Sequence, residues 1–143
     1  LRCAVNPLAC REIEFKNINP PETLKKAVVV GGGPAGMQAA RTLADRGHRV
    51  TLFEKEKTLG GMLNIAKTAP FKKDVKDYLE WAVRMTMTNK RIAVRLAMEA
   101  TPDIVSAEKP DALVVATGAK PFFPCAGNHH AAHIGIAVCF HER

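Results

Sequence analysis

Gly31, Gly33 and Gly36 stand at G-x-G-x-x-G spacing, and Glu54 follows 23 positions after Gly31. Glycines so spaced can bare main-chain amides to two linked phosphates. The first permits a tight turn from strand to helix. The second lets the backbone approach the phosphates with no Cβ in the way, and the third lets helix and strand pack closely. A carboxylate one strand further on can accept hydrogen bonds from ribose hydroxyls, and it disfavours a 2′-phosphate. Lys55 and Lys57 temper that exclusion. The implied chemistry is the holding of a dinucleotide. No acid–base or nucleophilic group stands out, and His48, with no orienting partner in sequence, reads as structural.

The elements that must position these residues are legible around them. Ala27 to Val30 is a short β-branched run suited to a strand buried on both faces. Pro34 to Arg46 reads as a helix, with Met37, Ala40, Leu43 and Ala44 on one face, Pro34 in its opening turn and Gly47 as its C-terminal cap. His48 to Phe53 reads as a second strand, parallel to the first through a right-handed crossover. Residues 57–70 read as a loop. Phe71 to Thr88 reads as a helix with Phe71, Val75, Tyr78, Leu79, Ala82 and Val83 on its apolar face and Trp81 at the edge. Arg91 to Leu96 suggests a third strand, Thr101 to Ala107 a short helix, and Ala112 to Ala116 a further strand. Residues 1–23, broken by Asn6-Pro7 and Asn19-Pro20-Pro21, read as an extended linker.

A chain of 143 residues with 47% hydrophobic content is one domain with room for a core. No apolar run approaches the ~18 residues of a membrane span, and Leu1-Arg2-Cys3 opens no signal-peptide core. The net charge is +7, but the basic residues are interspersed with acids, as in Lys72-Lys73-Asp74-Val75-Lys76-Asp77, and no stacking platform accompanies them. Neither a nucleic acid nor a membrane is expected as a partner. Four cysteines without a C-x-x-C pair suggest reduced thiols and a cytoplasmic setting.

Three further segments carry a family resemblance. Gly60-Gly61-Met62-Leu63, soon after Glu54, resembles the flavoprotein disulfide-reductase superfamily, in which the glycine pair lies against the FAD pyrophosphate. Asp111-Ala112-Leu113-Val114-Val115-Ala116-Thr117-Gly118-Ala119 resembles that superfamily's second glycine motif, where the chain leaves the FAD domain. Cys3-Ala4-Val5-Asn6-Pro7-Leu8-Ala9-Cys10-Arg11-Glu12 resembles the join in NADH:flavin oxidoreductases of the 2,4-dienoyl-CoA reductase and trimethylamine dehydrogenase type. The resemblance covers about residues 1–124.

It implies an α/β, Rossmann-like FAD/NAD(P)-binding domain over 24–124, with a parallel central sheet flanked by helices and incomplete relative to the family. Residues 1–23 would be the remnant of an iron–sulfur loop. In the full-length family, electrons pass from NADH through FAD and a [4Fe–4S] cluster to an FMN-bearing barrel that reduces an enoate-type substrate. By resemblance, Gly31, Gly33, Pro34, Ala35 and Gly36 form the pyrophosphate turn, Glu54 meets the ribose, and Lys55 beside it counts among the cofactor-binding residues. Gly60, Gly61 and Met62 line the cofactor loop, Ala100 lies near the adenine, and Ala116, Thr117 and Gly118 lie at the flavin exit. Cys3 matches a cluster ligand, but only beside upstream cysteines absent here. FAD, or its ADP half, is the expected ligand. The absent barrel and NAD domains, or a second copy of the chain, are the expected partners.

The resemblance ends at Cys125, so residues 125–143 read as an atypical tail, as in a truncated or frame-shifted product without activity of its own. His129, His133, Cys139 and His141 could alternatively ligate zinc, though at no standard spacing. The alternatives to a flavin oxidoreductase segment are a non-catalytic ADP- or FAD-binding module and the NAD domain of an ordinary dehydrogenase. Gly60-Gly61 and Ala116-Thr117-Gly118 argue against the last, since NAD needs neither.

Overall fold

The computed structural model describes residues 3, 6, 8–15 and 21–119, and residues 137–140 as backbone. Five strands form one sheet: β1 (Lys26–Val30), β2 (Arg49–Phe53), β3 (Ile92–Arg95), β4 (Ala112–Val115) and β5 (Ala137–Phe140). Their order is β3-β2-β1-β4-β5. The first four are mutually parallel, and β5 joins β4 antiparallel. The helices are α1 (Glu12–Phe15), α2 (Pro34–Asp45), α3 (Leu63–Ala66), α4 (Lys73–Met87) and α5 (Pro102–Ala107).

Register is what prepares the site. Val30 stands level with Phe53 on one side and Val115 on the other. Gly31, Glu54 and Ala116 therefore leave the sheet side by side at its carboxyl edge, where open parallel sheets place ligands. Main-chain bonds carry the ladder up to that edge: Gly31 N–H donates to Phe53 O at 2.8 Å, Ala116 N–H to Val30 O at 2.8 Å, and Glu54 N–H to Arg95 O at 2.9 Å.

β1 is central, and Ala27, Val28 and Val29 are buried, as their unbroken apolar run requires. Met37, Ala40 and Ala44 of α2 pack with Val29, Val50, Leu52, Leu79 and Ala82 in one cluster. Each fully buried Leu or Met contributes about 1.5–3 kcal/mol. Alanines on α2 let it lie close to the sheet. The helix ends as its sequence dictates: Gly47 takes φ +98°, its N–H donates to Ala44 O at 2.9 Å, and His48 N–H donates to Leu43 O at 3.1 Å. Arg41 is buried, with its guanidinium 4.4 Å from the ring centroid of Trp81 and bonded to Gln38 Oε1 at 2.6 Å. Trp81 at the edge of its helix thus becomes a clasp between α2 and α4.

Several expectations need correction. The expected linker at 1–23 contains α1, opened by an Arg11–Glu14 ion pair at 2.6 Å. The expected loop at 57–70 contains the single-turn α3. Phe71 is 85% exposed and precedes α4, so the apolar face begins at Val75 rather than Phe71. The tail is not wholly outside the fold: β5 extends the sheet, which is parallel only over its first four strands. The side chains of His129, His133, Cys139 and His141 lie outside the described residues, so the zinc reading falls there.

His48 is buried, and its Nδ1 accepts from Lys25 N–H at 3.2 Å. That bond requires an unprotonated Nδ1. Burial first, then the nearby Arg46 and Lys25 charges, push its pKa below the ordinary value of 6.5. A depressed folded-state pKa means the unfolded chain binds the proton more readily, so stability falls as pH drops below about 6.5. Denaturant unfolding at pH 7.5 and 5.5 should show that loss, and His48→Gln should flatten it.

α5 carries a smaller lever. Thr101 caps its start, accepting from Ile104 N–H at 3.4 Å. At its end Lys109 takes φ +47°, a conformation that favours glycine. Left-handed backbone costs a side-chain-bearing residue about 1–2 kcal/mol, against about 0.5–1 kcal/mol of glycine entropy. Lys109→Gly should therefore raise unfolding stability by up to about 1 kcal/mol in a denaturant titration.

Candidate dinucleotide site

The turn from β1 to α2 is built by close approaches that only glycine allows. Gly31 adopts φ +105°, and a Cβ there would lie 2.8 Å from the Ala116 carbonyl carbon, closer still to its oxygen. At Gly36 a Cβ would lie 3.0 Å from the Gly31 carbonyl carbon and inside its oxygen. The first and third glycines are thus needed by the chain's own packing. Gly33 differs: a Cβ there would meet nothing within 4 Å. It borders open space at the start of α2, where no side chain caps the helix. Met37 N–H donates to Gly33 O at 2.9 Å. Pro34 has no N–H, and the amides of Ala35 and Gly36 precede the first intrahelical donor, Met37 N–H, so they have no acceptor within the helix. Those donors and the helix dipole face the opening left by Gly33, an arrangement that favours an anion.

Glu54 lies beside this turn, 7% exposed. Its Oε2 accepts from Gly32 N–H at 2.6 Å, and its Oε1 accepts from Glu56 N–H at 2.9 Å. Sequence reasoning assigned Glu54 only to a ligand; its carboxylate is also held by the chain. Each oxygen keeps a second lone pair for a further donor. Lys55 and Lys57 are exposed just beyond it.

The glycine pair folds against the same turn. Gly60 adopts φ +123°, and its N–H donates to Gly32 O at 2.8 Å. A Cβ on Gly61 would lie 3.2 Å from Gly33 Cα. The two glycine motifs, 30 residues apart in sequence between Gly31 and Gly61, are therefore in contact. Met62 is exposed at the start of α3, and Asn64 Nδ2 donates to Leu59 O at 3.0 Å to brace the loop. Residues 96–100 clip onto the far side: Ala97 N–H donates to Glu56 O at 2.9 Å and Met98 N–H to Glu54 O at 3.0 Å. Ala100 follows, half-buried. At the end of β4, Ala116 is buried against Gly31, while Thr117 and Gly118 are exposed.

The expected residues are accordingly brought to one edge, apart from Cys3, which lies in the N-terminal segment. Among the described residues no group of three or more His, Cys, Asp or Glu could hold a metal ion, and no helix is long and apolar enough to cross a membrane. Sequence reasoning missed Gly32 and Leu59. A Cβ on Gly32 would press on Leu59 and lie 2.9 Å from Glu54 Oε2. The available signal was the unbroken run Gly31-Gly32-Gly33, whose middle glycine the fingerprint does not demand.

The donor set fits a dinucleotide: bare amides at an uncapped helix start for the phosphates, a side-chain-free approach at Gly33, and a buried acid one strand over.

Comparison with known proteins agrees. The profile described as pyridine nucleotide-disulphide oxidoreductase matches residues 25–141. An NADH oxidase of Thermoanaerobacter brockii is 44% identical over 124 residues, 87% of this chain and 19% of that protein. A cinnamate reductase of Clostridium sporogenes is 37% identical over 119 residues, 83% of this chain and 18% of that protein. A solved 2-naphthoyl-CoA reductase superposes with a TM-score of 0.79 at 40% identity, covering 85% of this chain and 18% of that one. The chain thus spans about a fifth of the length of these relatives. It belongs to the pyridine nucleotide-disulphide oxidoreductase family, and what it matches is a segment of NADH:flavin oxidoreductases.

Proposed function

We propose that this chain is the FAD-holding segment of an NADH-dependent flavin oxidoreductase. The observation that carries the reading is the junction of both glycine motifs and a buried acid at one edge of the sheet, with Gly33 open to a ligand. In this reading the Ala35 and Gly36 amides, with the α2 dipole, bind the pyrophosphate. The free lone pairs of Glu54 accept the ribose hydroxyls of the adenosine half, and the segment 96–100 borders the adenine. Gly61 closes over the phosphates, and Thr117 and Gly118 lie where the cofactor would leave toward its flavin ring. Bound FAD would supply hydride acceptance from NADH and electron release toward a [4Fe–4S] cluster, an FMN barrel and an enoate-type acceptor in a full-length protein. The relatives named cinnamate reductase and 2-naphthoyl-CoA reductase support that acceptor class.

The ADP half meets more of this chain than the isoalloxazine half does. Calorimetric titration should therefore find ADP and FAD binding with affinities within about tenfold, and NAD more weakly. Mass spectrometry of ligand released from the purified chain should give FAD or ADP. A folded chain that binds none of the three overturns the proposal. Binding of ADP without any retained flavin favours the non-catalytic module.

A further inference from the structure

A buried carboxylate needs donors to hold its charge. Glu54 forms no ion pair among the described residues. Its donors are instead two main-chain amides, Gly32 on Oε2 and Glu56 on Oε1. Gly32 lies within the phosphate turn, between Gly31 and Gly33. The Gly32 carbonyl is fixed in turn by the Gly60 amide at 2.8 Å. One carboxylate therefore sets the direction of the Gly31–Gly32 peptide group inside the turn, and the next peptide group, between Gly32 and Gly33, carries the second glycine motif.

We infer that Glu54 is a positioning residue for the phosphate turn as well as a candidate sugar acceptor: through the Gly32 amide it holds the Gly31–Gly33 backbone in the shape that receives the two phosphates. The ligand part of this inference rests on the dinucleotide reading. The latch itself is a property of the chain. The two accounts of Glu54 differ in sign. A carboxylate that only met the sugar would, when neutralised, leave binding of a sugar lacking hydroxyls unchanged, or tighten it by removing negative charge near the phosphates. A latch, when broken, weakens that binding too.

The test compares the full chain with Glu54→Gln and Glu54→Asp, using ADP and 2′,3′-dideoxy-ADP as calorimetric probes. Glutamine keeps one acceptor oxygen, so it satisfies one of the two amides and turns its own N–H toward the other. Aspartate keeps the charge but is too short to span both amides. Each variant should bind dideoxy-ADP about tenfold more weakly than the parent, the order expected for one lost hydrogen bond to a charged acceptor. Without ligand, amide exchange should quicken about tenfold or more at whichever of Gly32 and Glu56 the variant leaves without its acceptor, and at Gly32 in at least one of the two variants. Unchanged or tighter dideoxy-ADP binding in both variants overturns the inference, as does unchanged exchange at Gly32 in both. If the parent binds neither nucleotide, the dinucleotide reading fails, and the exchange rates alone decide for or against the latch.

Discussion

Alanine at Gly36 will lower the thermal unfolding midpoint by roughly 10 °C or more, or prevent folding. The added Cβ would fall inside the Gly31 carbonyl oxygen and 3.0 Å from its carbon, with Val29 Cγ1 at 3.5 Å behind it. Backbone cannot swing aside as a side-chain end can. Relief requires α2 to lift from β1, and α2 supplies Met37, Ala40 and Ala44 to the core. Such overpacking costs about 3 kcal/mol or more, and each kcal/mol shifts the midpoint by about 3–4 °C in a chain of this size. Circular dichroism melting of Gly36→Ala beside the parent reads the effect directly. A midpoint within two or three degrees of the parent would mean that helix and strand are not in the contact described.

What the sequence made legible was whatever one interaction decides locally. The buried run at β1, the apolar face of α2 with its Gly47 cap, and the Thr101-Pro102 start of α5 each follow from neighbours within a turn or a strand. The fingerprint was legible because its first and third glycines answer to backbone contacts any such turn must make. The rest depends on partners far along the chain. α3 is a single turn with no buried residue of its own, too short for a periodic signal, and it forms because Gly60 and Gly61 turn the chain back onto Gly32 and Gly33. Phe71 matched a helical spacing, but the helix starts after it at Lys73, and the spacing alone could not reveal the boundary. β5 has no pattern distinguishing it from the tail around it; its place comes from the free edge of β4.

Glu54 shows the same limit within the site. Its position was legible from the distance to the glycines, and its burial was not, because the amides that make burial tolerable come from Gly32 and Glu56. The middle glycine is the counterpart of that arrangement. A side chain on Gly32 would crowd both Leu59 and Glu54, so the acid's environment is inscribed in a residue that the phosphate fingerprint leaves free. Site residues are hard to read singly where they are specified by contacts whose other half lies 20 or more positions away, as Gly32 and Glu54 are.

Gly33→Ala separates the chain's needs from the ligand's. Gly33 sits at φ −71° and ψ −179°, extended backbone that any residue adopts, and its Cβ would meet nothing within 4 Å. The loss of stability should stay within about 1 kcal/mol, the ordinary difference between glycine and alanine at a helix start. The methyl group would nevertheless project into the opening above the Ala35 and Gly36 amides, where the pyrophosphate must come. Holding the phosphates off those donors forfeits about one charge-assisted hydrogen bond, or about 1.5–3 kcal/mol, which weakens binding roughly 10- to 100-fold. Calorimetric titration with ADP and a melting curve on the same sample check both halves. A parent-like melt with weakened ADP binding is the expected pair. Parent-like ADP binding would mean that the phosphates do not enter through Gly33, and the turn would then be a packing device, its first and third glycines answering only to Ala116 and to each other.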